Sequence, residues 1–145
     1  MTATPTSAPT VPPVPVLAAL GRTVAGRYFK AVYHVPAGQI AGLPALVGVY
    51  VLLTAERGVV HLGQAARRGG VAARVAQHLA IPDRAAATDS VVVVELHEQT
   101  PLAALSAIEG KFAVALSLPG RLPGRRWPRA EHWPSTVSAA VDRGG

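Results

Sequence analysis

The sequence predicts an α+β protein in which a small mixed or antiparallel sheet, in the order β-hairpin, helix, strand, helix, is flanked by helices. Two apolar, β-branched segments separated by a short polar turn, Val47–Leu53 and 59–62, predict the hairpin. The valine-rich segment Ser90–Leu96 predicts a buried strand. Apolar residues at helical spacing predict helices over 71–80 and 102–116.

The composition limits the classes of function. The 145 residues suit one domain, and half of them are hydrophobic, which is enough for a core. The absence of cysteine excludes disulfides, thiolate catalysis and cysteine-based zinc sites. A net charge of +6 favours a polyanion such as nucleic acid as the partner. The sequence shows neither a signal peptide nor an apolar run long enough to cross a bilayer, so we expect a cytoplasmic protein without a membrane partner.

Shifts in composition divide the chain into four regions. In order they are a disordered proline-rich leader over 1–16, an extension of helix or strand over 17–42, a core over 43–118, and a basic tail rich in Pro, Gly and Arg over 119–145. The leader contains too few large apolar residues to offset the entropy of ordering it.

Local signals place elements at the edges of the core. Residues 17–25 suit a short helix, and the alternation over 27–35 predicts a strand. That strand is expected to carry four residues on one face, namely Phe29, Ala31, Tyr33 and Val35. Before the last helix, Thr100 is predicted to be the N-cap and Pro101 the first helical residue.

The last helix carries an acidic residue where an apolar one is expected. An apolar stripe with steps of three and four residues consists of Leu102, Leu105, Phe112 and Leu116. Glu109 occupies the missing position in the middle of that stripe. A carboxylate directed at the core requires a cation, which is either an Arg side chain or a metal ion.

The preceding helix shows a similar pattern. Its apolar face consists of Val71, Val75 and Leu79. Arg74 and His78, four residues apart, are predicted to lie on that face. Two interpretations are open: an Arg74–Glu109 ion pair beside a structural histidine, or a functional site.

The hairpin adds two polar side chains and two glycines. With a two-residue loop, Tyr50 and His61 point to the same side of the sheet, whereas a three-residue loop separates them. Gly48 and Gly63 lie inside predicted strands, where glycine has no propensity advantage. Both positions suit a close approach of another group, such as a phosphate, to the backbone.

Taken in chain order, these residues resemble the GIY-YIG nuclease family. Gly48-Val49-Tyr50 stands for the first tripeptide and His61-Leu62-Gly63 for the second. Arg74 and His78 resemble the motif on the following helix, and Glu109 resembles the metal-binding glutamate. The sequence departs from the family in having His61 instead of the second tyrosine and in containing no asparagine.

The resemblance implies a small endonuclease that hydrolyses phosphodiester bonds, with Mg²⁺ or Mn²⁺ as cofactor and nucleic acid, DNA rather than RNA, as partner. Tyr50 would act as general base or position the water, and His61 or His78 would take up its proton. Arg74 would hold the scissile phosphate through two donors. Glu109 would bind the metal ion.

Basic residues surround these elements in sequence. Those expected to track the nucleic-acid backbone are Arg57, Arg67, Arg68, Arg84, Lys111, Arg121, Arg125 and Arg126. Two alternatives to the nuclease stay open: a module of the same fold that holds nucleic acid without cutting it, and a structural or protein-interaction domain. The substitution at His61 and the absence of asparagine motivate the first of these.

Overall fold

A computed structural model describes residues 10–66 and 69–118. These residues form α1 (Val14–Ala25), β1 (Phe29–Pro36), β2 (Val47–Leu53), β3 (Val59–Ala65), α2 (Gly70–Leu79), α3 (Pro82–Ala87), β4 (Ser90–Leu96) and α4 (Leu102–Ala115). Short 3₁₀ helices, Gly26–Tyr28 and Ala37–Gly42, follow α1 and β1. The predicted α+β class is confirmed. Within the described ranges, no helix has the length and apolar character needed to cross a bilayer.

The four strands form one antiparallel sheet in the order β1-β4-β2-β3. The central strands β2 and β4 are buried almost throughout. Both are covered on two faces, so both consist of nearly continuous apolar residues instead of an alternating pattern. The predicted bounds of these two strands agree with the structure for that reason.

Alternate side chains of β2 divide the core into two layers. Val49, Val51 and Leu53 pack against α1 and α4, and we call this side of the sheet the α4 face. Tyr50 and Leu52 pack on the other side with residues of α2, and we call it the α2 face. Each face therefore has its own hydrophobic cluster.

The start of α4 differs from the prediction. Pro101 is the N-cap residue and Leu102 begins the helix, without a capping side chain. The Thr100 hydroxyl instead donates to the carbonyl of His97 at 2.5 Å, which stabilises the preceding turn. Leu102 does not belong to the buried stripe, since 63% of its surface is exposed at this first turn.

The predicted leader is wrong for the part of it that the structure describes. Residues 14–16 are helical, and Val11 is buried in the core. Arg57 donates from Nη2 to the carbonyl of Pro12 at 2.6 Å and from Nε to that of Val11 at 3.2 Å. Arg57 therefore has a structural role in holding this segment against the hairpin loop. Residues 1–9 lie outside the described ranges.

The strand predicted over 27–35 is present as β1, but its four residues do not share one face. The pairing shifts between Phe29 and Ala31, which marks a β-bulge. Phe29 consequently packs on the α4 face, whereas Val35 packs on the α2 face. Tyr33 is exposed and donates to Glu95 Oε1 at 2.9 Å.

Candidate active site

The hairpin brings Tyr50 and His61 to one side of the sheet. Tyr50 lies opposite Gly63, and Leu52 lies opposite His61, as the sequence predicted for a two-residue loop. The loop itself is longer, since Thr54 and Gly58 pair across it through a 2.9 Å backbone bond. A bulge after Leu52 compensates for the extra residue and restores the predicted register.

Three rings from three elements meet on the α2 face. Tyr50 from β2 is 2% exposed, and its hydroxyl lies 2.8 Å from Nε2 of His78 on α2. The His61 ring from β3 lies 4.2 Å from the His78 ring and 6.2 Å from the Tyr50 ring, measured between centroids. Both histidines are half-buried. We call these three residues the Tyr–His–His cluster.

Arg84 on α3 borders the cluster. Its Nη1 contacts Nδ1 of His78, so the imidazole lies between a guanidinium and the Tyr50 hydroxyl. From the sequence, Arg84 is predicted only to bind nucleic acid. Pro82, which begins α3 directly after α2, indicates that the chain turns there, but the sequence alone does not show which side chains meet across the turn.

Both strand glycines have a structural reason inside the protein. A Cβ atom at Gly63 would collide with the Tyr50 hydroxyl and ring. A Cβ atom at Gly48 would collide with the backbone carbonyl of Val94 on β4. Gly63 therefore makes room for the Tyr50 side chain, and Gly48 permits close approach of two strands, so neither glycine requires a phosphate to explain it.

Arg74 is exposed, and its predicted place on the buried face of α2 is wrong. It directly precedes the buried Val75, and neighbouring helical residues point about 100° apart because a turn holds 3.6 residues. Among the described residues, Arg74 makes no hydrogen bond or ion pair, with Glu109 or any other side chain. The internal Arg74–Glu109 pair considered from the sequence is thus excluded.

Glu109 is buried in α4, as predicted, with 3% of its surface exposed. Its helix packs on the α4 face, whereas the Tyr–His–His cluster lies on the α2 face. One turn before it, Ser106 Oγ accepts from Nε2 of Gln64 at 3.2 Å. The Gln64 Oε1 atom is buried and has no hydrogen-bond partner within the described ranges. Gln64 was not predicted, although it directly follows the second tripeptide.

Of the remaining basic residues predicted to bind nucleic acid, only Lys111 lies in the part of the chain that the structure describes. Lys111 is half-buried on α4. Five others lie outside the described ranges: Arg67, Arg68, Arg121, Arg125 and Arg126. Within those ranges, no group of three or more His, Cys, Asp or Glu side chains is placed to hold a metal ion.

The fold and the site together define the protein as a small α+β protein with a Tyr–His–His cluster on one face of an antiparallel sheet. No protein-family model matches the chain, and no curated protein matches it either.

Proposed function

We propose that the chain is a small, divalent-metal-dependent endonuclease that hydrolyses phosphodiester bonds in nucleic acid, with Tyr50 as its general base. The observation that carries the proposal is the 2.8 Å hydrogen bond between the Tyr50 hydroxyl and His78 Nε2. A buried phenol hydrogen-bonded to an imidazole, with a second imidazole tilted against the first, is an arrangement suited to proton transfer. A purely structural tyrosine needs no such pair of histidines.

Hydrolysis requires that a base remove a proton from water while the water oxygen attacks phosphorus and the P–O bond to the leaving oxygen breaks. Tyr50 accepts that proton once its own has passed on. The imidazole beside it stabilises negative charge on the phenolic oxygen through a hydrogen bond.

The phosphate itself requires a cation that no internal carboxylate occupies. Arg74 meets this requirement because it is exposed and forms no ion pair with any described side chain. It lies four residues before His78 on α2, so the two side chains are neighbours along the helix surface. Its planar fork suits two oxygens of one phosphate.

The oxygen atoms near α4 are of the chemical type that a divalent ion binds. Glu109 supplies a buried carboxylate, and Gln64 supplies a buried amide oxygen that lacks a protein donor within the described ranges. The Ser106 hydroxyl links Gln64 to the helix that carries Glu109. Mg²⁺ and Mn²⁺ prefer such oxygen ligands, so Glu109 and Gln64 would hold the ion. A bound ion supplies Lewis acidity toward phosphate oxygens.

The test combines cleavage with a direct measurement of metal binding. Single- and double-stranded DNA and RNA are incubated with Mg²⁺ or Mn²⁺ and the wild type, Glu109→Gln or Glu98→Gln. The last variant is the matched control, because Glu98 is exposed and undergoes the same change. Mn²⁺ binding is followed by electron paramagnetic resonance of the same three proteins.

We expect Glu109→Gln to lose both Mn²⁺ binding and cleavage, and Glu98→Gln to retain both. A wild type that cuts none of the four substrates contradicts the nuclease. Unchanged Mn²⁺ binding by Glu109→Gln contradicts the assignment of the metal to Glu109, even where cleavage is seen.

One observation favours a second function, a nucleic-acid-binding module without cleavage. The helix that carries Glu109 and the Tyr–His–His cluster lie on opposite faces of the sheet. If they do not act on one phosphate, the exposed Arg74 and the net charge of +6 still favour binding. Affinity that falls steeply with salt and with Arg74→Met, without cutting under any metal, would identify this module.

A further inference from the structure

We propose that Arg84 is a positioning residue that holds the proton of His78 on Nε2, and that it thereby leaves His61 as the imidazole that accepts the proton of Tyr50. The catalytic consequence rests on the proposed nuclease function. The protonation state of His78 does not, and it can be measured without any substrate.

Arg84 Nη1 contacts His78 Nδ1. A guanidinium has five N–H donors and no acceptor, so Nδ1 must present its lone pair. The ring proton of the neutral imidazole therefore lies on Nε2. Nε2 is 2.8 Å from the Tyr50 oxygen, so the Nε2–H group donates to that oxygen.

This orientation prevents His78 from accepting the Tyr50 proton. Nε2 already carries a hydrogen, and a proton added at Nδ1 would face the N–H groups of Arg84. Two cations would then be in contact at a half-buried site, which is unfavourable.

His61 is the other imidazole of the cluster. Its ring centroid is 6.2 Å from that of Tyr50, and it is half-buried, so it retains access to solvent. The proton leaves Tyr50 Oη for His61, and the phenolate takes a proton from the attacking water, whose oxygen bonds to phosphorus as the P–O bond to the leaving oxygen breaks. The proton that His61 received then passes through solvent to the leaving oxygen, which restores the neutral imidazole. The His78 Nε2–H group stabilises the phenolate while that charge exists.

Hydrogen bonds to the backbone hold the segment that carries Arg84 in place. The amide of Ile81 donates to the carbonyl of His78 at 3.0 Å, which ties the turn between α2 and α3 to the histidine itself. Pro82 then begins α3. The Thr88 hydroxyl donates to the carbonyl of Arg84 at 2.7 Å. Hydrogen bonds therefore hold the backbone both before and after Arg84.

Nitrogen-15 NMR of the imidazoles tests the assignment, because the two ring nitrogens of a neutral histidine differ strongly in shift according to which one is protonated. We expect wild-type His78, assigned by the signal lost in His78→Gln, to be neutral with the proton on Nε2. In Arg84→Met the ring is expected to become a mixture of both tautomers. Arg84→Lys, which retains a donor and a positive charge, should restore the wild-type signal.

Arg22→Met is the matched control, since it removes an exposed guanidinium from α1, which packs on the α4 face. It should leave the His78 signal and the cleavage rate unchanged. Arg84→Met is expected to slow cleavage by less than the roughly 10²- to 10⁴-fold that a positioned acid or base contributes. Arg84→Lys should recover part of that loss.

A wild-type His78 that is protonated on Nδ1, or on both nitrogens at neutral pH, overturns the proposal, and this result requires no variant to fold. An unchanged tautomer in a folded Arg84→Met protein overturns it as well. An Nε2–H tautomer that depends on Arg84 in a protein without nuclease activity upholds the positioning role and rejects the nuclease.

Discussion

The two faces of the sheet are built from the same strands but differ in the chemistry of their side chains. On the α4 face, β2 presents Val49, Val51 and Leu53, each at most 1% exposed, against the apolar residues of α1 and α4. On the α2 face, the same strand presents Tyr50 to two half-buried histidines.

The difference indicates that the apolar packing of the α4 face mainly stabilises the fold, whereas the Tyr–His–His cluster of the α2 face supplies reactive groups. Apolar burial on the α4 face supplies stabilisation in proportion to the area removed from water. The α2 face buries less apolar area and carries two histidines that remain in contact with solvent. Substitutions of the apolar residues on the α4 face should therefore change stability, and substitutions in the Tyr–His–His cluster should change activity, largely independently.

The largest expected effect is that of Tyr50→Phe on cleavage. Loss of the hydroxyl removes the proposed base, so the cleavage rate should fall by about 10²- to 10⁴-fold. The free energy of unfolding should change by only about 0.5–1.5 kcal/mol, the net value of one hydrogen bond. Single-turnover cleavage and urea unfolding measure the two quantities.

Tyr33 provides the control for that substitution. It lies on the same face but is exposed and donates to Glu95 instead of a histidine. Tyr33→Phe should cut at the wild-type rate. Equal losses in the two variants would show that the Tyr50 hydroxyl has no special role.

The next effect belongs to the α4 face. Phe112 is 1% exposed, and Phe112→Ala leaves a cavity there, so the free energy of unfolding should fall by about 3–5 kcal/mol. The cleavage rate per folded molecule should stay near the wild-type value. Val114→Ala, at a position 50% exposed on the same helix, should change stability by less than about 0.5 kcal/mol. Comparable destabilisation by both variants would contradict the assigned core.

Gly63→Ala should lower both the stability of the fold and the rate of cleavage. The added methyl group would collide with the Tyr50 hydroxyl and displace it from His78, so both stability and cleavage should fall. The cost in stability should be about 1–3 kcal/mol, as for other overpacked sites. Gly38→Ala is the control, because nothing lies within 4 Å of its added Cβ. A Gly63→Ala protein with wild-type properties would show that Tyr50 needs no such space.

The smallest effect concerns the titration of Tyr33. Its hydrogen bond to Glu95 and the negative charge of that carboxylate raise the pKa of Tyr33 above the ordinary value of 10.0. The associated stabilisation is present below pH about 10 and is lost as the pH rises through the folded-state pKa. Glu95→Gln should lower the Tyr33 pKa, followed by ultraviolet absorbance. An unchanged pKa would contradict the contact.

Parts of this comparison were predictable from the sequence because they depend on local patterns. The bounds of β2 and β4 follow from continuous apolar runs, and the burial of Glu109 follows from its place in an apolar stripe. The shared side of Tyr50 and His61 was predicted only for a two-residue loop; the real loop is longer, and the bulge after Leu52 that restores the shared side was not predicted.

Other parts depend on contacts between distant residues, which a single sequence does not show. Arg84 reaches His78 only because α3 turns back after α2. Val11 is buried, and its carbonyl accepts a hydrogen bond from Arg57 far along the chain, a contact that the proline-rich composition does not predict. Arg74 is exposed because it lies about 100° around the helix from the buried Val75. A pattern of apolar spacings locates the buried face too coarsely to show this.

The pairing of β1 with β4 has a consequence for any shortened form of the protein. A fragment over 43–118, which holds every residue of the Tyr–His–His cluster, would lack β1 and uncover one side of β4. That strand contains four consecutive valines, Val91 to Val94, with no charge or proline among them. Its exposed amide and carbonyl groups would then pair with strands from other copies, so the excised fragment should self-associate more strongly than the longer chain.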